Sequence, residues 1–228
     1  MFLEIDTVQH VGSLDPTSRS SRASLEGPCL SVSVAPEDWE RIARISGRTW
    51  QLSAPGALWL DACNLTENLE YEILDWAHGC GFIAPARVFK AWSYDSETDT
   101  WCYFRMGSRE EAEAQTDEDF EDDDIPSLSG TPIDEEDGYR LTDRGMMALE
   151  RWADPFMAEE GALILWAMFK LAPRMPGLAG IWWDEDHDVL ALSCPRGGVL
   201  PGRLEMFEIT DELGNPPPFR MSDEGFQP

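Results

Sequence analysis

The sequence predicts an α+β fold with a mixed or mostly antiparallel sheet, packed helices and an acidic flexible excursion. Three observations predict it. Short stretches of alternating apolar and polar residues outnumber the helical ones. Strands and helices interleave without βαβ regularity. One acidic stretch containing Pro126, Gly130 and Pro132 interrupts the pattern between residues 116 and 137. The 228 residues, 43% of them hydrophobic and ten of them tryptophan, suffice for a real core. The expectation is one domain over 1–228, with 117–137 as an acidic loop or linker; a divided chain would separate into 1–116 and 138–228.

Taken in order, Phe2, Leu3 and Ile5 open a short strand within residues 1–10. Residues 12–26, rich in serine and carrying Arg19 and Arg22, read as a loop. Leu30, Val32 and Val34 alternate with Ser31 and Ser33, a strand with one buried and one polar face. Pro36 suits a first helical position, with Glu37 and Asp38 favourable in the first turn. Trp39, Ile42 and Ala43 share a face, and Gly47 is a natural stop. Thr49–Leu52 and Ala57–Leu60 read as strands around Pro55-Gly56.

Glu67–Cys80 reads as a helix burying Leu69, Ile73, Trp76, Ala77 and Cys80. Val88–Tyr94 and Trp101–Met106 form a hairpin. Ser108-Arg109-Glu110-Glu111 fits a capping box that opens a short helix. Thr116–Asp137 is the expected break. Thr142–Trp152 and Pro155–Leu171 are helices. The short strands Ile181–Asp184, Val189–Ser193, Gly198–Leu200 and Leu204–Ile209 complete the chain.

Net charge is −27, and residues 110–137 hold fourteen acidic and no basic residues. Without that block the balance is 17 basic against 30 acidic, still −13. Such a field repels phosphates and anionic lipid, so no nucleic-acid partner is expected. It suits a basic partner, a cation or simple solubility. Five cysteines without a CxxC pair read as reduced thiols, and hence as a cytoplasmic protein. No apolar run reaches the ~18 residues of a membrane span.

Several groups of residues can be read for chemistry. His10, Arg19, Arg22, Ser31 and Ser33 combine a histidine after a strand, arginines that can fork onto a diphosphate, and strand hydroxyls able to hold a ligand. Asp184, Asp186 and Asp188 share the spacing that opens a calcium loop, but Val189 and Pro195 stand where that loop needs Gly and Glu. Arg196-Gly197-Gly198 can be read as an anion-binding loop. Gly138 to Gly145 looks like the tyrosine-x-leucine-threonine-x-x-glycine segment of winged helix-turn-helix regulators. No helix-turn-helix precedes it and no basic surface accompanies it, so Thr142 reads as a helix cap at a strand end.

His10-Val11-Gly12-Ser13 and Gly27-Pro28-Cys29-Leu30-Ser31-Val32-Ser33 resemble, in order, the first two elements of the ADP-ribosyltransferase superfamily, over about the first 50 residues. The resemblance implies an NAD-using enzyme, a bacterial toxin or defence factor. His10, Arg22, Ser31, Ser33 and Arg196 would bind the cofactor. Glu205 or Glu208 would be the late catalytic acid that stabilises the oxocarbenium-like charge on the ribose. The alternative is a non-enzymatic acidic interaction or inhibitor protein that captures a basic partner through residues 110–137. The first reading requires His10, Ser31 or Ser33, and a late glutamate to meet in one pocket. The second requires the acids to form one ordered face.

Overall fold

The computed structural model describes residues 1–14, 27–95, 100–119, 133–149, 158–184, 187–188 and 193–217. Two sheets and the helices between them make an α+β fold with mostly antiparallel pairing. The strands of the larger sheet are β1 (Phe2–Glu4), β2 (Thr7–Val11), β3 (Leu30–Ser33), β4 (Thr49–Ser53), β5 (Leu58–Asp61), β9 (Leu178–Trp183), β10 (Arg196–Val199) and β11 (Glu208–Asp211). Their order is β1-β5-β9-β10-β3-β2-β4-β11, with β5–β9 as the parallel pair.

This sheet rolls up on itself. Only Ile5 and Asp6 separate β1 from β2, although the two lie far apart in the strand order. Residues 2–11 are in effect one bent strand. They pair along their length with residues 49–61, through Ile5 N–H to the Ala57 carbonyl and Ala54 N–H to that of Asp6 at the bend. The ring β1/β2–β3–β10–β9–β5/β4 therefore closes.

Its interior holds Val8, Leu30, Val32, Leu52, Trp59, Trp182 and Val199. Trp59 and Trp182 meet edge to face, with ring centres 5.5 Å apart. Two glycines make room for them. A Cβ on Gly180 would lie 2.5 Å from the Trp59 ring, and one on Gly197 would lie 2.4 Å from the Trp182 ring. Gly197 thus belongs to a strand that passes beneath an indole. Arg196-Gly197-Gly198, read as an anion-binding loop, is instead a strand: all three residues are buried in β10.

The smaller sheet has order β7-β6-β8, from β6 (Ile83–Asp95), β7 (Thr100–Met106) and β8 (Ile133–Leu141). Between the sheets lie α2 (Glu67–Gly79), α4 (Asp143–Ala148) and α5 (Ala158–Trp166), the last continuing as a π-helical turn over Ala167–Leu171. One apolar cluster joins the outer barrel residues Leu60, Ile181 and Trp183 to Ile73, Ile164, Leu165, Phe82 and Leu141. The remaining helices are α1 (Pro36–Ala43) and α3 (Arg109–Asp119). Among the described residues, no helix is long and apolar enough to cross a membrane.

Several elements follow the sequence reading. Pro36 opens α1, and α2 starts at Glu67 as expected, where the Thr66 side chain accepts from Leu69 N–H. Thr142 caps α4 by accepting from Gly145 N–H. Others differ. α1 ends at Ala43, before Gly47, because Arg44 itself adopts the left-handed conformation (φ 51°) and its N–H returns to the Glu40 carbonyl. The expected break at 116–137 is ordered at both ends, since α3 runs to Asp119 and β8 starts at Ile133. α4 stops at Ala148, short of Trp152. Leu204–Ile209 is not one strand: Leu204–Met206 forms a 3-10 turn, and pairing begins at Glu208. The expected strand Val189–Ser193 falls largely outside the described residues.

Candidate functional site

The residues expected to bind NAD divide between the two faces of the barrel wall. His10 pairs with Trp50 in the register where Val8 pairs with Leu52, so it shares the inward-facing row. Ser33 pairs with Gln9 and Arg196, which puts Ser31, Ser33 and Arg196 on the outward face. His10 does reach β3, but through the backbone: Nδ1 lies 2.7 Å from the Ser31 carbonyl, and Nε2 lies 3.1 Å from that of Ser13. Both partners are backbone carbonyl oxygens, which accept.

Ser33 is fully buried and ties a turn. It donates to the Pro195 carbonyl at 2.7 Å and accepts from Ala35 N–H at 3.0 Å, just before α1. Arg196, 7% exposed, carries its guanidinium over Trp183 at 5.0 Å and Trp39 at 5.9 Å. Glu205 and Glu208 are exposed. Glu208 pairs with Ser53, which pairs with Thr7. That register separates Glu208 from His10 by roughly 10 Å along the strands and roughly 10 Å across them. Arg22 and Arg19 lie outside the described residues. The geometry thus joins His10 to β3 and Ser33 to Arg196, and brings neither glutamate to them.

A cavity of about 280 Å³ opens elsewhere, between the loop after β5, α2, the start of α5 and the end of β9. Cys63, Glu70, Glu159, Glu160 and Trp183 are among its lining residues. None of His10, Ser31, Ser33, Glu205 and Glu208 lines it. Nearby, burial pulls the Arg105 guanidinium down, but the hydrogen bond and charge of Glu159 at 2.7 Å, together with Tyr103 and Glu136, raise it above its ordinary value. Among the described residues, no group of His, Cys, Asp and Glu has the arrangement of a metal site.

The described parts of the acidic block do come together. The Ser108 side chain accepts from Glu111 N–H and starts α3. Ala112, fully buried, packs with Ala91 and Ile133, flanked by Phe89 and Met106. This leaves Glu110, Glu111 and Glu113 exposed on α3, beside the exposed Asp134, Glu135 and Asp137 of β8. The β8 acids meet cations from inside the sheet. Arg87 serves Glu135 at 3.5 Å and Asp137 at 3.1 Å. Lys90 and Arg105 converge on Glu136 at 2.7 and 3.7 Å. Asp134 accepts from the Trp92 indole at 2.8 Å, and Lys90 lies 4.8 Å over the Tyr103 ring. Sequence reading missed this ladder; in 133–141 only Tyr139, Arg140 and Leu141 alternate, at its end. No family model, curated protein or solved structure matches the chain.

Proposed function

We propose that this chain is a non-enzymatic interaction or inhibitor protein that binds a basic protein partner through its acidic 110–137 region. The seating of α3 on β8 carries the reading. Ala112 and Ile133 share one apolar cluster, so the described ends of the block adjoin, with Glu135 and Asp137 on the same sheet face as Ile133. The net charge of −27 favours encounter with a basic surface and opposes nucleic acid. We place the protein in the cytoplasm, in keeping with the free thiols of Cys29, Cys63, Cys80 and Cys194.

The test is titration of a labelled lysine- and arginine-rich peptide, read by fluorescence anisotropy. Replacing Glu110, Glu111 and Glu113 together by Gln is expected to weaken binding about tenfold, roughly 1.4 kcal/mol. Neutralising three exposed acids of α2 (Glu67→Gln, Glu70→Gln and Asp75→Asn) is expected to change it little. Equal weakening by both sets, or no binding, would overturn the reading.

The ADP-ribosyltransferase-like reading draws on the contact between His10 and the Ser31 carbonyl, which links the first two of its three elements. It is tested on the same preparation. NAD turnover or an NAD-dependent thermal shift, lost in His10→Ala and in Glu205→Ala or Glu208→Ala, would favour it. Neither signal would remove it.

A further inference from the structure

The geometry points to strand addition as the way the partner is held: an extended basic segment pairs with the outer edge of β8 as a fourth strand of the small sheet. This rests on the acidic-surface reading and makes its mode of binding specific.

β8 pairs with β6 over nine consecutive residues, from Ile133↔Ala91 to Leu141↔Ile83. Among the described residues nothing pairs with its other edge, where β8 ends the order β7-β6-β8. Asp134, Glu135, Asp137 and Arg140 are exposed along it. Such an edge offers N–H and C=O groups at every second residue, which an extended peptide can complete.

Charge selects the occupant. Asp134, Glu135, Glu136 and Asp137 alternate between the two faces of the sheet. Their cations, Arg87, Lys90 and Arg105, all come from β6 and β7, on the inner side. Arg87 is shared between Glu135 and Asp137. A second β8 would set acids against acids, so self-pairing is disfavoured. A strand carrying about four consecutive Lys or Arg residues would instead put a cation beside each acid, on both faces. Glu135, Glu136 and Asp137 would then lie between two basic rows, and Asp134 between a cation and the Trp92 indole.

The experiment uses two peptides with the same four-residue basic stretch, flanked by β-branched residues. One is unmodified. The other is N-methylated throughout the basic stretch, which keeps every charge and removes the N–H donors. With the full-length chain, the unmodified peptide is expected to bind at least about tenfold tighter, and to slow hydrogen exchange at alternate amides within 133–141. Equal binding of both peptides, or binding without new protection in 133–141, overturns strand addition and leaves the acidic-surface reading standing. Failure of both peptides to bind defeats that reading and this inference together.

Discussion

Gly197→Ala tests whether the glycines of β10 serve the barrel interior or an anion. The new Cβ would sit 2.4 Å from Trp182 Cε3 and 2.9 Å from both Trp182 Cζ3 and the Ile181 carbonyl oxygen. Carbon atoms prefer separations of about 3.5–4.0 Å, so the indole has to move by roughly 1 Å. It has little room, since Trp182 is 2% exposed and packs against the fully buried Trp59. Overpacking of this kind costs about 2–3 kcal/mol. For a chain of this length that corresponds to a fall in Tm of about 4–12 °C, read by calorimetry or near-ultraviolet circular dichroism. Trp182→Phe shortens the ring and opens the space. The double variant should therefore be more stable than the two single effects predict, by about 1 kcal/mol or more of coupling. A Gly197→Ala protein that melts like the parent, or strict additivity in the cycle, would refute the packing argument. A normal melting temperature combined with a lost phosphate- or NAD-dependent shift would restore the anion loop.

Ser33→Ala strips the Pro195 carbonyl and the Ala35 N–H of a buried partner and should cost about 1–3 kcal/mol in urea unfolding; unchanged stability with impaired NAD binding would reverse the assignment of Ser33 as a turn tie. Asp211 is held below its ordinary carboxyl range chiefly by the Asn215 backbone N–H, against some burial, with help from the Asn215 side chain, Leu213 N–H and Arg48. A depressed carboxyl contributes stability that is present above its unfolded value, near pH 4, and lost as pH falls through the folded value. Asp211→Asn should accordingly flatten the acid limb of a Tm–pH profile below about pH 4, and an unchanged limb would count against the turn as its cause.

The local code was legible where one physical rule acts alone. Alternation marked β3, Pro36 marked the start of α1, and Thr142 marked the cap of α4. Long-range constraints were not legible. Nothing in Gly197-Gly198 announces that an indole lies against Gly197, because Trp182 approaches it only once the ring of strands closes. Asp134 to Asp137 read as loop because four consecutive acids are poor strand formers. They are held in β8 by register with β6, where Arg87 and Lys90 offset their repulsion and Ile133 anchors one end in an apolar cluster. Among the described residues, His10 and the strand serines lie apart for a related reason. His10 and Ser31 are neighbours across two strands, but period-two geometry points their side chains to opposite faces, which linear order alone does not reveal.

That geometry also limits where recognition can occur. The barrel is small and filled: Trp59 and Trp182 occupy its interior, and Gly180 and Gly197 leave no spare volume beneath them. A ligand therefore cannot enter the barrel as it enters a larger one, and the cluster around Ile164 and Leu165 covers its outer face near α2 and α5 apart from the cavity beside Cys63, Glu70 and Glu159. The three-stranded sheet is differently placed. α3 covers one part of it through Ala112, while β8 keeps exposed side chains along its length. The chain thus separates a tryptophan-packed scaffold, whose stability depends on shape, from a charged edge, where under the proposed function the sign of charge would select the partner. Substitutions in the first should change melting temperature, and substitutions in the second should change binding and its salt dependence, with little crossing between the two.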